Sequence, residues 1–248
     1  MDIYSFCTNW VEDHAQGRAL RVLDYGCGAG VIVKALRERG FEAFGCDVFY
    51  DGGDYSTAVD PQLLGSAVLR MEGGRIPFEA ESFDVVVNNQ VLEHVEDLDA
   101  VVAEMRRVLR PDGVVFSIFP DAGVWREGHC GIPFLHWFPK GSRFRVYYAA
   151  TLRAVGLGYH TSGKSMLQWA KDFCEWLDKW AYYRSHAVIA ASFGAKFGDL
   201  RYREEYFLHG RLGAEAKWLR FCSIGIQRWL VRKLGGLVFE ARIMPRKR

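Results

Sequence analysis

The sequence of 248 residues predicts an α/β fold in which a mostly parallel sheet carries helices on both faces. Short apolar runs typical of buried strands alternate with segments whose apolar residues recur at helical spacing. Turn residues stand between them, as at Gly40 and at Pro111-Asp112-Gly113. Half of the residues are apolar and a quarter are charged, so the chain can bury a full core.

The elements can be placed in order along the chain. We expect a helix over about 3–15, strands at 21–25, 41–47, 66–71, 83–88 and 113–119, and helices at 31–39, 98–109 and 147–155. Residues 120–145 are rich in glycine, proline, histidine and aromatic residues, and they predict a long loop of the kind that carries function. The predicted organisation is a core over 1–160, a helical insertion over 161–234, and a last strand and tail over 235–248.

Composition and charge narrow the classes of function. A net charge of +2 does not indicate the strongly basic surface that nucleic-acid binding requires. We expect Arg246-Lys247-Arg248 to be a solvated tail. No apolar run is long enough to span a bilayer, and the amino terminus lacks the features of a secretory leader. The six cysteines show no metal-ligand spacing, so we expect free thiols and a cytoplasmic protein.

The stretch from Val22 to Gly30 carries the most information. An apolar strand that contains Asp24 runs into glycines at alternate positions, and a helix follows, so a ligand can lie against bare backbone. A carboxylate there would repel a pyrophosphate but suits a cationic amino group, which favours S-adenosylmethionine (SAM). A dinucleotide site is the alternative, because Asp47 lies at the distance of a ribose ligand. Val31, however, occupies the position at which the dinucleotide-binding sequence motif requires its third glycine.

Five further segments extend the pattern in a fixed order: Asp47, 76–78, 82–86, 90–95 and 107–113. Together with the glycine loop, they resemble the class I SAM-dependent methyltransferases, in particular the small-molecule branch, over about residues 20–120. The resemblance implies a Rossmann-like fold with a seven-stranded, mostly parallel sheet and a helical insertion before the last strand. It also implies SAM as cofactor and S-adenosylhomocysteine as product.

The resemblance implies a cofactor site made of Asp24, Gly26, Gly28, Gly30, Asp47, Glu72, Asn88, Asn89 and Gln90. Asp24 would attract the methionine ammonium, and Asp47 would accept hydrogen bonds from the ribose hydroxyls. Glu72 stands where related enzymes contact the adenine amino group, although a solvated turn is an equal alternative for Glu72 and for Asn89. Residues 88–90 follow a strand at the carboxyl edge of the sheet, where they would face the methionine end.

The acceptor side is predicted to lie in the long loop. The expected substrate-binding residues are Trp125, Arg126, Glu127, His129, His136 and Trp137. A neutral histidine suits the removal of a hydroxyl proton, so we expect His129 or His136 as general base, with His94 third. An aromatic lid whose histidines only pack is the alternative. No metal site is assigned, although Asp121 could approach the two loop histidines in space.

The acceptor and the partners stay open at this stage. Residues 128–137 resemble a loop of bacterial saccharide O-methyltransferases, which favours in-line methyl transfer to a sugar or oligosaccharide hydroxyl. The alternatives are a lipid, polyketide or quinone-type hydroxyl, and a SAM-binding protein without turnover. Basic and apolar residues alternate over 219–234, which fits packing on the core, a homodimer face or peripheral membrane contact.

Overall fold

A computed structural model describes residues 1–161, 163–213, 218–219 and 221–243 of the chain. Its helices are α1 (Ile3–Ala15), α2 (Val31–Glu38), α3 (Leu98–Val108), α4 (Arg143–Ala154), α5 (Met166–Trp180), α6 (His186–Phe197), α7 (Glu204–Leu212) and α8 (Ile224–Leu234). Its strands are β1 (Arg21–Tyr25), β2 (Glu42–Asp47), β3 (Val68–Arg70), β4 (Phe83–Asn89), β5 (Leu109–Phe119), β6 (Gly198–Tyr202) and β7 (Leu237–Ile243). The predicted tail at 246–248 lies outside the described residues.

The strands form one seven-stranded sheet in the order β3-β2-β1-β4-β5-β7-β6. β7 runs antiparallel to both of its neighbours, and the pairs from β3 to β5 are parallel. β1 pairs with β2 and β4 in the centre of the sheet and is buried over most of its length, as its continuous apolar run predicts. The predicted α/β fold with a mostly parallel sheet is confirmed.

Helices cover both faces of the sheet. One core cluster joins α1, α2 and α8 to the sheet, with Phe6, Trp10 and Phe116 packed at its centre. The other joins α3 and α6 to the opposite face through Met105, Phe193 and their neighbours. These helices turn their apolar stripes to the two faces of the sheet, so the sheet edge at the carboxyl ends of β1, β2 and β4 is free to form a site.

Residues 161–234 are predicted to be helical, but the structure places strand β6 inside this segment. β6 pairs with β7 at the edge of the sheet, and α6 packs on the face of that sheet. The sequence Gly198-Asp-Leu-Arg-Tyr202 lacks a buried apolar run, because an edge strand stays partly exposed. The second half of the segment therefore belongs to the sheet layer.

A third, smaller core lies outside the sheet layers. It joins α4, α5 and the loop after β5 around Trp169, which is fully buried, with Cys130 and Leu135 from the loop packed against it. This cluster holds the loop in place and carries it over the carboxyl end of the sheet. Among the described residues, no helix combines the length and the apolar character that a membrane crossing requires.

Candidate active site

The glycine loop joins β1 to α2 in a conformation that requires glycine. Gly26, Gly28 and Gly30 have φ angles of 72°, 49° and 71°, in the left-handed region. A Cβ added at Gly26 would lie 2.4 Å from a methyl group of Val91. The amides of Gly26 and Cys27 donate to the carbonyl of Cys46, at 2.8 and 3.2 Å, and fix the loop against β2.

Two carboxyl groups lie beside this loop, at the ends of neighbouring strands. Asp47 accepts hydrogen bonds from the amides of Gly28 and Phe49, at 2.9 and 2.8 Å. Asp24 is 3% exposed, and burial together with the charge of Asp47 raises the pKa of Asp24 to about 8. A buried carboxyl group in this state gains most from a cationic partner, as predicted for the methionine ammonium.

One cavity of about 710 Å³ runs from the glycine loop to the third core. Its glycine-loop end is formed by Asp24, Gly26, Gly28 and Asp47, together with Asn89 and Gln90. Its histidine end is formed by Tyr50, His94, His129, Trp176 and Trp180. A volume of this size suits a cofactor with a small second ligand.

Three predicted cofactor residues do not line the cavity. Gly30 lies behind the loop, where it caps α2 and faces Val68. Glu72 is exposed and pairs in a turn with Arg75, so the solvated alternative describes it better. The Asn88 side chain is fully buried within the sheet, because alternate strand residues point to opposite faces.

The two histidines of the histidine end come from different segments and contact each other. His94 ends a short 3₁₀ helix after β4, and His129 lies in the loop after β5. Their Nε2 atoms are 3.1 Å apart. The Nδ1 atom of His94 lies 2.7 Å from the carbonyl oxygen of Trp180, and the Nδ1 atom of His129 lies 2.6 Å from Oε1 of Glu127. Each ring is therefore oriented through Nδ1 and presents Nε2 to the other.

Glu127 is the buried anchor of this arrangement. Its carboxylate also accepts hydrogen bonds from the hydroxyl group of Tyr183 and the amide of Cys130, both at 2.7 Å. Burial raises the pKa of Glu127, but these donors and His129 outweigh it and lower that pKa to about 2. Burial lowers the pKa of His129, and the hydrogen bond and charge of Glu127 more than offset this and raise it. Burial lowers the pKa of His94 to about 4.

Glu93 stands directly beside this pair. It is 1% exposed, and neither carboxylate oxygen has a hydrogen-bond partner among the described residues. Burial raises the pKa of Glu93 to about 7. The ligand atoms of Glu93, His94 and His129 all lie within 4.8 Å of one another. The group considered in the sequence, with Asp121 and His136, does not converge in this way within the part of the chain that the structure describes.

Most of the predicted acceptor loop faces away from the cavity. His129 is the member that lines it. His136 packs on the ring of Tyr183 with a centroid distance of 4.5 Å, and both of its ring nitrogens are buried outside the cavity. Trp125 packs on Trp229 of α8, and Trp137 is 52% exposed. Loop residues alternate between the third core, α8 and solvent, so they do not form one continuous acceptor surface.

Arg126 stabilises the loop after β5, and three aromatic residues form the wall of the histidine end. Arg126 donates to the carbonyl of Gly131 and covers the ring of Tyr159, so it braces the loop. Tyr50, Trp176 and Trp180, which sequence reasoning did not assign to the site, form its aromatic wall. The spacing of the two tryptophans, four residues apart on α5, is the signal that could have placed them on one face.

The comparisons with known proteins bear on residues 23–117, which match the family model described as a methyltransferase domain. These residues form a methyltransferase domain. They include the glycine loop, the two acids and the segment of His94. Over these residues the sequence-based resemblance to the class I SAM-dependent methyltransferases is confirmed, and the match agrees with SAM as the expected cofactor.

Two curated relatives match part of the chain. A ubiquinone biosynthesis O-methyltransferase of Pseudomonas fluorescens is 32% identical over 121 residues, which are 46% of this chain and 50% of the relative. One of Stutzerimonas stutzeri is 32% identical over 114 residues, 44% of this chain and 47% of the relative. The chain spans about half the length of the curated relatives it matches.

A solved structure extends the likeness to the whole fold. A SAM-dependent methyltransferase from Mesorhizobium loti superposes with a TM-score of 0.53 and 16% identity, covering 96% of this chain and 99% of that one. At this identity the likeness concerns the fold alone. It confirms the predicted Rossmann-like fold, including the strands after residue 117.

Proposed function

We propose that the protein transfers the methyl group of SAM to a hydroxyl group of a small, ring-shaped acceptor. The observation that carries the proposal is that one continuous cavity has the glycine loop at one end and the oriented histidines at the other. A protein that only bound SAM would not need a second polar centre within the same cavity. The sulfonium of SAM supplies an already activated methyl group, so the protein has to align the acceptor and remove its proton.

The residues at the glycine-loop end fit SAM. Asp24 is buried with its carboxyl group poorly stabilised, and a cationic ammonium would restore its charged form. Asp47 lines the cavity, and backbone amides hold its carboxylate oxygens in place. One of these oxygens can accept a hydrogen bond from a ribose hydroxyl instead of from an amide. The left-handed glycines leave the backbone open where the methionine moiety would lie.

A phenolic hydroxyl of the quinone type fits the histidine end better than a sugar hydroxyl. The wall is aromatic on several sides, with Tyr50, Trp176 and Trp180 available to stack on a planar ring. Arg126 and Glu127 were expected among the residues that bind the acceptor, and both are engaged within the protein. The names of the curated relatives, ubiquinone biosynthesis O-methyltransferases, support the same choice.

Among the histidines expected to act as a base, His129 is the best-placed proton acceptor. Its Nδ1 donates to Glu127, which leaves Nε2 without a proton, facing Nε2 of His94 at the histidine end of the cavity. The carboxylate fixes the tautomer and stabilises the positive ring that forms when His129 takes the proton. His94 shares the cavity, whereas His136 has no path to it, so the order of the predicted bases becomes His129, then His94.

The proposal is tested by measuring S-adenosylhomocysteine formation with a catechol-type phenol and with a set of free sugars and nucleotide sugars. We expect turnover with the phenol and at least about tenfold less for His129→Asn, with unchanged SAM affinity. His160→Asn, at an exposed histidine far along the chain, is the matched control. SAM binding without turnover on any acceptor would contradict the proposal, and transfer to sugars alone would overturn the phenolic choice.

A further inference from the structure

We infer that Glu93, His94 and His129 bind a divalent cation at the histidine end of the cavity. The ligands would be the two Nε2 atoms and the Glu93 carboxylate, whose atoms converge within 4.8 Å. The catalytic meaning of the cation rests on the proposed methyl transfer to a hydroxyl. The binding itself does not, and it can be measured separately.

The hydrogen bonds of the two rings leave their lone pairs facing each other. A carbonyl oxygen only accepts, so His94 must donate its Nδ1 proton to Trp180. His129 likewise donates its Nδ1 proton to the Glu127 carboxylate. In the neutral rings both Nε2 atoms then carry a lone pair, and at 3.1 Å these repel unless a positive species lies between or beside them. A proton can serve, and so can a metal ion.

The spacing of the nitrogens suits a metal ion. Two imidazole nitrogens at about 2.1 Å from one ion are about 3.0 Å apart at a right angle and about 3.4 Å apart at a tetrahedral angle. The observed 3.1 Å lies between these values. Small side-chain adjustments therefore bring both rings onto a common cation without moving the backbone.

Glu93 provides the independent observation. A carboxylate that is 1% exposed and has no hydrogen-bond partner among the described residues is costly to keep, and protonation or a cation relieves that cost. Two histidines and one carboxylate are an established set for a divalent transition ion with open positions. Of the divalent ions, this set suits Mn²⁺, Fe²⁺, Co²⁺ or Zn²⁺ better than Ca²⁺.

The outer contacts of the histidines match those of metal ligands. Such histidines usually donate their second ring nitrogen to a carboxylate or a backbone carbonyl, which fixes the ring and raises its basicity. His129 does so to Glu127 and His94 to Trp180. Glu127 is itself held by Tyr183 and Cys130, so the support extends one layer further.

A cation here changes how the acceptor is activated. Three protein ligands leave positions open toward the cavity, where the acceptor hydroxyl can coordinate and lose its proton more readily to solvent. The oxygen then forms its bond to the methyl carbon as the bond from that carbon to sulfur breaks, which leaves S-adenosylhomocysteine. The charge of the cation does not change, and His129 acts as a ligand instead of taking the proton.

The test begins with chelator-stripped full-length protein, without SAM or acceptor, titrated with Mn²⁺ and followed by electron paramagnetic resonance. We expect one Mn²⁺ per chain. Glu127→Gln removes an outer contact of His129 and should weaken Mn²⁺ binding by about 10–100-fold. Glu93→Gln and His129→Asn each remove a ligand and should weaken it further. His160→Asn should bind as the wild type does, and circular dichroism verifies the fold of each variant.

Absence of Mn²⁺, Co²⁺ and Zn²⁺ binding, or binding unchanged in both ligand variants, would overturn the inference. Activity is then measured in stripped protein with and without Mn²⁺. Restoration by Mn²⁺ supports the catalytic role of the cation. Full activity without metal, lost in His129→Asn, would refute that role and leave His129 as the base. Metal binding with no methyl transfer would contradict the proposed function alone.

Discussion

The glycine-loop end of the cavity comes from one short stretch and the ends of the two strands beside it, whereas the histidine end is assembled from four segments that are distant in the chain. Asp24 and the glycines lie within seven residues, and Asp47 ends the neighbouring strand. His94 follows β4, His129 follows β5, and the tryptophans belong to α5. A local motif can thus encode the first end, while the second depends on how the third core packs over the sheet.

The two ends also differ in what holds their polar groups. The Asp47 oxygens are fixed by backbone amides, and Asp24 is left for a ligand to satisfy. At the histidine end, protein groups orient both rings, and Glu93 is left without a partner. Each end therefore has one buried carboxyl group that a cation could stabilise, and the proposals above assign an ammonium group to the first and a metal ion to the second.

The largest effect should come from closing the glycine-loop end. Gly26→Ala places a Cβ 2.4 Å from Val91 at a φ angle of 72°. The loop must move, and we expect SAM affinity to fall about 100-fold, as measured by calorimetry. Gly17→Ala is the matched control, because Gly17 has a φ angle of 80° and open space around its added Cβ. Equal SAM affinity in the two variants would refute the steric argument.

Asp24→Asn should have the next largest effect and should act in two directions. Loss of the charge weakens SAM binding by about tenfold or more. The same change stabilises the free protein at pH 8 by about 1–3 kcal/mol, because a buried, poorly paired carboxylate is removed. Chemical unfolding and calorimetry check the two parts, and a loss of both stability and affinity would contradict this account.

The pH dependence of SAM binding tests the same residue in the wild type. The pKa of Asp24 in the free protein is about 8, well above its ordinary value of 3.8, so the folded chain holds a proton that the ammonium must displace. Affinity should therefore rise from pH 6 to 7.5, by up to about tenfold per unit, until the SAM ammonium group begins to lose its proton. 5′-Methylthioadenosine lacks that amino group and should bind with little change over this range.

A smaller effect is expected at the aromatic wall of the histidine end. Trp176 packs against His129 with ring centroids 4.9 Å apart and against His94 at 5.7 Å. Trp176→Leu should raise the KM for the acceptor about tenfold and leave SAM affinity unchanged. Trp137→Leu, at an exposed tryptophan outside the cavity, should leave both values unchanged. A reversed pattern would show that the acceptor is bound by the loop, as first predicted.

The sequence predicted the central strands, the glycine loop and the two acidic residues beside it, Asp24 and Asp47. Each of these features depends on periodicity or on residues close in the chain. It missed β6, whose edge position removes the need for an apolar run. It assigned a site role to His136, which the third core turns away from the cavity, and none to Glu93, which immediately precedes His94. Side-chain direction in loops is set by long-range packing, which spacing alone does not reveal.

The ring of His94 is held by the main chain of residue 180, and the main chain of Glu93 accepts a hydrogen bond from the amide of Tyr182 at 2.6 Å. Nothing in these two contacts depends on which side chains stand at 180 and 182. The side chain at 180 can therefore change, and with it the proposed acceptor wall, while the backbone contact that orients His94 is kept.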